Sequence, residues 1–253
     1  MTKIAVVGAA GRMGKVLIEA VSANEKATLV AASVRPGGAG AGSADAGELA
    51  GVGSLGVTLV DDLASVIDQC DVVIDFTTPE ATLKHLEICA RANKKIVVGT
   101  TGFSSEQLKD LQAFGESQAL VFAPNFSIGV NAAFHLLGVA AEILGGDVEI
   151  DITEAHHKHK VDAPSGTALR MGEIIQQSLS RNGHDDGLNY NSIRAGDIVG
   201  EHTAMFVGTG ERIEITHRAM SRMNFAAGAV RAAVWLEQKP AGLFDMQDVL
   251  GLK

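Results

Sequence analysis

Ile4-Ala5-Val6-Val7-Gly8-Ala9-Ala10-Gly11-Arg12-Met13-Gly14 is the stretch on which the reading of the fold rests. A continuous apolar run of this kind fills a central strand of a parallel sheet, covered on both faces. It runs straight into glycines spaced G-x-x-G-x-x-G, a variant of the dinucleotide fingerprint. In that pattern the first glycine permits a tight turn, the second lets backbone approach a pyrophosphate, and the third lets the next helix sit close to the sheet. Val16, Leu17, Ala20 and Val21 then recur at helical spacing, so strand, turn and helix come in the required order. A glycine pattern alone also marks a plain tight turn; the flanking elements favour a nucleotide site.

Outward from this stretch, strands and helices alternate. Thr28 to Ala32 reads as a second strand, and Ser33-Val34-Arg35-Pro36 stands where the fingerprint expects a ribose-reading acid. Gly37 to Gly56 reads as a flexible glycine-rich loop. Val57 to Val60 is a strand, Asp62 starts a short helix, and Asp71 to Phe76 is a buried strand. Thr78 caps the helix that carries Leu83, Leu86 and Ile88. Lys95 to Val98 and Ala119 to Phe122 are further strands, ending in Gly99-Thr100-Thr101-Gly102-Phe103 and Ala123-Pro124-Asn125-Phe126-Ser127. Loops at the carboxyl ends of parallel strands are where an open α/β sheet binds its ligand, which makes these turns candidate cofactor contacts.

From Ile128 to Leu144 an apolar helix leads into a different pattern: strand Asp147 to Glu154, helix Thr167 to Leu179, and polar loop Arg181 to Asn191. Two strands, about Glu201 to Val207 and Arg212 to His217, flank a hairpin turn at Gly208-Thr-Gly210. Strands grouped in this way predict an open, mixed or largely antiparallel sheet with helices on one face. A helix from Phe225 to Glu237 and the tail at Leu243 to Met246 return to the first domain. The expected architecture is α/β: a parallel-sheet dinucleotide-binding domain over residues 1–127, with 234–253 returning to it, and an α+β substrate-binding and oligomerisation domain over 128–233.

The chemistry concentrates in Glu154-Ala155-His156-His157-Lys158-His159-Lys160-Val161-Asp162-Ala163-Pro164-Ser165-Gly166-Thr167. Three imidazoles and two ammonium groups fall within five residues at the end of a strand, ahead of a helix start whose N–H groups and hydroxyls can hold an anion. Such a pocket suits a small carboxylate ligand and proton delivery by His or Lys. A solvated surface patch is the bland alternative. No metal is expected, because His156 and His157 would face opposite ways on a strand and no Cys or carboxylate lies at ligand spacing.

A net charge of −9 argues against nucleic acid or an anionic membrane as the main partner. Cys70 and Cys89 fit no disulfide or metal framework and suit a reducing, cytoplasmic setting. No signal peptide or membrane-spanning run is read.

The chain resembles the 4-hydroxy-tetrahydrodipicolinate reductase (dihydrodipicolinate reductase) family of the bacterial lysine and diaminopimelate pathway. The matching motifs are V-x-G-A-x-G-R-M-G at Val6 to Gly14, D-F-T-x-P-E at Asp75 to Glu80, G-T-T-G-F at Gly99 to Phe103, and E-A-H-H-x-H-K-x-D-A-P-S-G-T-A at Glu154 to Ala168. R-A-G-D-I-V-G-E-H-T at Arg194 to Thr203 and the tail from Gly242 to Met246 match as well. The glycine pattern is common to many folds, whereas the His-rich string is highly specific.

The resemblance implies a Rossmann-like first domain and NAD(P)H-dependent reduction of the cyclic dicarboxylate. In it, Gly8, Ala9, Ala10, Gly11, Arg12 and Met13 hold the pyrophosphate, while Gly99, Thr100, Thr101, Ala123, Pro124, Asn125 and Phe126 flank the nicotinamide. It makes His156 the acid/base residue and Lys160 the proton donor, with His157, Lys160, Ser165, Gly166 and Thr167 on substrate. It also implies a homotetramer built through the second domain. Two departures stand out: Val34 occupies the usual acidic position, and the segment between Leu179 and Arg194 is short. Without the acid, Arg35 can meet a 2′-phosphate, so NADPH is expected to serve at least as well as NADH. A nucleotide-sensing regulator and a dehydrogenase of another small acid are the competing readings.

Overall fold

The computed structural model describes residues 1–253 except 182 and 184–186. The chain divides into two units, Met1–Ser127 with Met223–Lys253, and Ile128–Arg222. The return to the first unit thus begins at Met223, where the sequence reading placed it at 234.

In the first unit β1 (Thr2–Val7) is central, paired in parallel with β2 (Ala27–Ser33) on one side and β4 (Val72–Asp75) on the other. With β3 (Leu59–Val60), β5 (Lys95–Val98), β6 (Ala119–Phe122) and β11 (Gly242–Phe244) it forms a seven-stranded sheet in the order β11-β6-β5-β4-β1-β2-β3. All six pairings are parallel. Helices on both faces explain why the central strands are apolar throughout rather than alternating. On one face, α1 (Arg12–Ser22) and α7 (Met223–Leu236) bury Leu17, Ile18, Val21, Ala229, Val230 and Ala233 against Ile4, Val6 and Ile74. On the other, α3 (Pro79–Arg91) and α4 (Ser105–Ser117) bury Leu86, Cys89, Leu111 and Phe114 against Val7, Val73 and Ile96.

Local signals set the ends of these elements. Thr78 accepts from Ala81 N–H and Pro79 follows at the first helical position, so α3 starts where the sequence places it. Ser104 and Gln107 form a capping box at the start of α4, a helix the sequence reading passed over. Lys95 Nζ donates to the carbonyls of Leu236, Glu237 and Lys239 at 3.2, 2.5 and 2.7 Å, a cation on the carboxyl end of α7. This anchors the returning helix to β5.

The stretch Gly37 to Gly56 differs from the flexible loop expected of it. Asp45 caps the short helix α2 (Ala46–Ala50), and its carboxylate also accepts from Leu55 and Val57 N–H, both at 3.0 Å. These bonds hold that carboxyl down at about 2, the Leu55 N–H being the largest influence. One acid thereby closes the loop on itself. The short helix expected from Asp62 is two 3-10 turns, Leu63–Ser65 and Ile67–Gln69.

The second unit is a four-stranded mixed sheet in the order β10-β9-β7-β8, built from β7 (Glu149–His156), β8 (Asn189–Arg194), β9 (Gly200–Val207) and β10 (Arg212–Ala219). β7 and β8 are parallel and the other pairs antiparallel. The crossover between the parallel pair contains α6 (Gly166–Arg181), as a parallel connection requires. Together with α5 (Ile128–Leu144), α6 packs Phe134, Leu137, Met171 and Ile175 onto Ile150, Ile152, Ala204 and Phe206. The opposite face alternates to polar side chains, with Thr203 Oγ1 3.0 Å from Thr216 Oγ1. The polar loop expected over Arg181 to Asn191 ends in strand β8 from Asn189, and its residues 182 and 184–186 lie outside those described.

Candidate active site

In the first unit, the fingerprint turn joins β1 to α1. Gly8 adopts a left-handed φ of +67°, and a Cβ at Gly14 would lie 2.2 Å from Gly8 O and 2.7 Å from Ala9 Cα. Only a glycine lets α1 start this close to the turn. Gly11 caps α1 with no side-chain bond, and a helix start of this kind can accept an anion. Ala10, Gly11 and Arg12 are exposed; Ala9 is buried and Met13 packs on the core.

Beside this turn lies a groove of about 560 Å³, lined by Gly8, Val34, Arg35, Thr77, Lys84 and His85 among others. Val34 is mostly buried at its edge while Arg35 is exposed. Behind the groove, fully buried Asp75 accepts from Thr77 N–H at 2.9 Å, Thr77 Oγ1 at 2.6 Å and His85 Nδ1 at 2.7 Å. Thr100, also buried, accepts from Thr77 N–H at 3.0 Å and from Thr82 Oγ1 at 2.9 Å. These bonds fix the carboxyl ends of β4 and β5 relative to each other. Thr101 and Pro124 are exposed and Gly99 and Asn125 partly so. Ala123 and Phe126 are buried, the Phe126 ring packing against Phe76 at 5.4 Å, so Phe126 can offer a ligand only its backbone. A helix start after a tight glycine turn and a groove at the strand ends fit a dinucleotide.

In the second unit, the site is built where β7 ends. Alternation puts Glu154 and His156 on the same face, and register pairs Glu154 with His202 and His156 with Arg194. Glu154 is 1% exposed and its carboxylate is gripped from three sides. Arg194 binds it in a fork, Nη1 to Oε2 at 2.8 Å and Nη2 to Oε1 at 2.6 Å; His156 Nδ1 lies 2.5 Å from Oε2, and Ser165 N–H reaches Oε1 at 3.3 Å. Burial alone would raise the carboxyl, but bonds from Arg194, Ser192 and His156 hold it down at about 2. The His156 imidazole is pushed below its ordinary range by burial, which outweighs the opposing pull of Glu154. His202 packs edge-on at 5.1 Å from His156 and is held down at about 4, chiefly by burial. Its Nε2 lies 3.0 Å from Ser165 Oγ, which also accepts from Ala168 N–H at 3.2 Å and so caps α6.

Lys160 Nζ pairs with the Asp162 carboxylate at 2.8 Å in the loop after β7, and the backbone carbonyl of Asp162 accepts from Arg194 Nη2 at 2.6 Å. His157 sits just past the strand, with Nδ1 buried and unpartnered. His159 is exposed. The second unit thus brings His156, His157, Lys160, Ser165, Gly166 and Thr167 to one end of one strand and one helix. Ser165 is 2% exposed with its hydroxyl engaged, which leaves it a structural part in the site. Sequence reasoning assigned nothing to Glu154, Arg194 or His202 here, nor to Asp75 and His85 in the first unit. Glu154, Arg194, His202 and Asp75 each lie in a quoted motif, which is the signal available; His85 lies outside them.

Among the described residues no helix is long and apolar enough to cross a membrane. The family model for the N-terminus of dihydrodipicolinate reductase matches residues 2–126, and that for its C-terminus matches residues 129–250. The 4-hydroxy-tetrahydrodipicolinate reductase of Hahella chejuensis is 54% identical over 268 aligned residues, covering 100% of this chain and 100% of the relative. That of Methylococcus capsulatus is also 54% identical, covering 98% and 97%. Among solved structures, the dipicolinate-bound dihydrodipicolinate reductase from Paenisporosarcina sp. TG-14 matches with a TM-score of 0.78 at 27% identity, over 98% of each chain.

Proposed function

The chain belongs to the dihydrodipicolinate reductase family, and on that premise we propose how its residues carry out the NAD(P)H-dependent reduction of 4-hydroxy-tetrahydrodipicolinate to tetrahydrodipicolinate. The hydroxyl on C4 leaves as water together with a proton from the neighbouring ring carbon, so the reduction itself adds one hydride at C4 and one proton at that neighbouring carbon. When bound, a nicotinamide cofactor would supply the hydride at C4. Gly8, Ala9, Ala10, Gly11, Arg12 and Met13 form the pyrophosphate cradle, and Arg35 stands where a 2′-phosphate would come. The turns at Gly99 to Thr101 and Ala123 to Phe126 hold the nicotinamide, Phe126 through its backbone.

His156 supplies the proton as electron density moves onto the ring. Lys160, His157 and the N–H groups of Gly166 and Thr167 in the first turn of α6 hold the substrate carboxylates. A dianion beside His156 favours its imidazolium form, so substrate loads the acid that the empty, buried site disfavours. The observation that carries this reading is the grouping of His156, Lys160 and the start of α6 at the carboxyl end of β7. The Paenisporosarcina relative is described as dipicolinate-bound, which supports a planar dicarboxylate as ligand of this grouping.

The test is calorimetry with pyridine-2,6-dicarboxylate together with turnover assays. The dicarboxylate should compete with substrate and bind more weakly to Lys160→Ala. His156→Ala should lose roughly 10²–10⁴-fold in kcat with NADPH affinity unchanged. Normal turnover in both single variants would overturn the assignment. We place the homotetramer contact on the polar face of the four-stranded sheet, opposite α5 and α6. Light scattering that gave a monomer at micromolar concentration would refute it.

A further inference from the structure

Glu154 touches no substrate in this reaction, yet among the described residues it is the most tightly held acid of the second unit. An ionised carboxylate only accepts hydrogen bonds, so the His156 nitrogen beside it, Nδ1, must carry hydrogen in either charge state. The Arg194 fork and Ser165 N–H keep the carboxylate from rotating away. On the far side of the ring lies Gly200 of β9. A Cβ built there would stand 3.1 Å from His156 Nε2 and 3.4 Å from Cδ2, so a side chain at this position would press on the ring and require it to shift by a few tenths of an ångström.

We infer that Glu154, braced by Arg194, is a positioning residue that fixes His156 as the Nδ1–H tautomer and makes Nε2 the atom that exchanges the proton, with Gly200 leaving the ring room to sit there. This rests on His156 as the acid of the proposed reaction. The charged and titratable groups facing His156 are Glu154 on its own strand, Lys160 in the following loop, Arg194 on β8 and His202 on β9. Of these only Glu154 favours the imidazolium; Lys160 and Arg194 oppose it. Removing that one negative charge should lower the protonation midpoint of His156 by about one pH unit or more.

The experiment is an NMR titration of the full-length, ¹⁵N-histidine-labelled protein with NADPH bound, with His156 assigned from His156→Ala, alongside the pH dependence of kcat/KM. In the wild type the neutral ring should show Nε2 as the unprotonated nitrogen. In Glu154→Gln the midpoint should fall and the kcat/KM limb should move with it. Gly200→Ala should lower kcat with NADPH affinity unchanged. A neutral wild-type ring protonated at Nε2, which can be read even if Glu154→Gln does not fold, would overturn the inference, as would a Glu154→Gln midpoint equal to the wild type. Either result with His156→Ala inactive removes only the clamp. Full turnover in His156→Ala removes the acid assignment, and this inference with it.

Discussion

Replacing Arg194 by Met should destabilise the second unit in a way that depends on pH. Glu154 is 1% exposed, and Arg194→Met takes away its two-pronged partner while leaving His156, Ser192 and the Ser165 N–H. Breaking a buried pair from one side costs about 3–5 kcal/mol; because the Arg194 side chain is 19% exposed and partly screened, the low end, about 3 kcal/mol, applies. In the wild type the Glu154 carboxyl is held at about 2 against an ordinary 4.5, so its contribution is complete above 4.5 and is lost as pH falls towards 2. Without the guanidinium, burial dominates and the folded-state value rises above 4.5. The variant's carboxyl then favours folding below 4.5, and that help is lost as pH rises through the raised value. The stability gap between variant and wild type should therefore be widest at neutral pH and shrink on acidification to about pH 5. Urea unfolding can follow the two units separately, since the one tyrosine, Tyr190, lies on β8 and the one tryptophan, Trp235, on α7. At pH 7 the Tyr190 transition should move down by roughly 1–2 M urea at unchanged slope, with the Trp235 transition unmoved. A loss under about 1 kcal/mol at pH 7, or an equal loss at pH 5 and pH 7, would refute the reasoning.

Three further outcomes follow from the same geometry. Gly14→Ala puts a methyl 2.2 Å from Gly8 O, and overpacking of about 1–3 kcal/mol at the turn should weaken NADPH binding roughly ten- to a hundredfold, measured by fluorescence titration, while dicarboxylate binding is unchanged. Arg35→Ala should lower kcat/KM with NADPH by roughly ten- to a hundredfold and leave NADH nearly untouched, a charged hydrogen bond being worth about 1.5–3 kcal/mol; equal losses with both cofactors would remove Arg35 from the 2′-phosphate. Burial holds free His156 below the ordinary 6.5, so kcat/KM should fall as pH rises through a midpoint below 6.5, whereas the kcat midpoint, read with the dianion bound, should lie higher. Coincident midpoints in stopped-flow assays would contradict this.

The sequence alone determined what short-range chemistry decides. Ile4 to Val7 ahead of Gly8, Gly11 and Gly14 is largely a local pattern, because two of the three glycines answer contacts within the same turn: Gly11 lies against Gly8 O, and Gly14 against Gly8 O and Ala9. Thr78-Pro79 and the His-rich run were legible for the same reason, a cap or a strand end being written in adjacent residues. Of the elements that were not legible, two show the reason. α4 buries only Leu111, Phe114 and Gly115 of its thirteen residues, so its apolar period is faint beside its Ser104–Gln107 cap. β8 reads Asn-Tyr-Asn-Ser-Ile-Arg at a sheet edge and becomes a strand through its pairing with β7.

The deeper limit is in the second unit's site. Glu154 meets Arg194 across 40 residues and Ser165 meets His202 across 37. No periodicity in the chain encodes those distances. The parallel register of β8 on β7 sets Arg194 beside His156, the antiparallel register of β9 sets His202 opposite Glu154, and the loop from β7 to the start of α6 turns Ser165 back onto Glu154 and His202. Only tertiary structure could turn a polar run into a buried, charge-compensated cluster, because a carboxylate and an imidazole leave water only where folded neighbours replace the hydrogen bonds water provided.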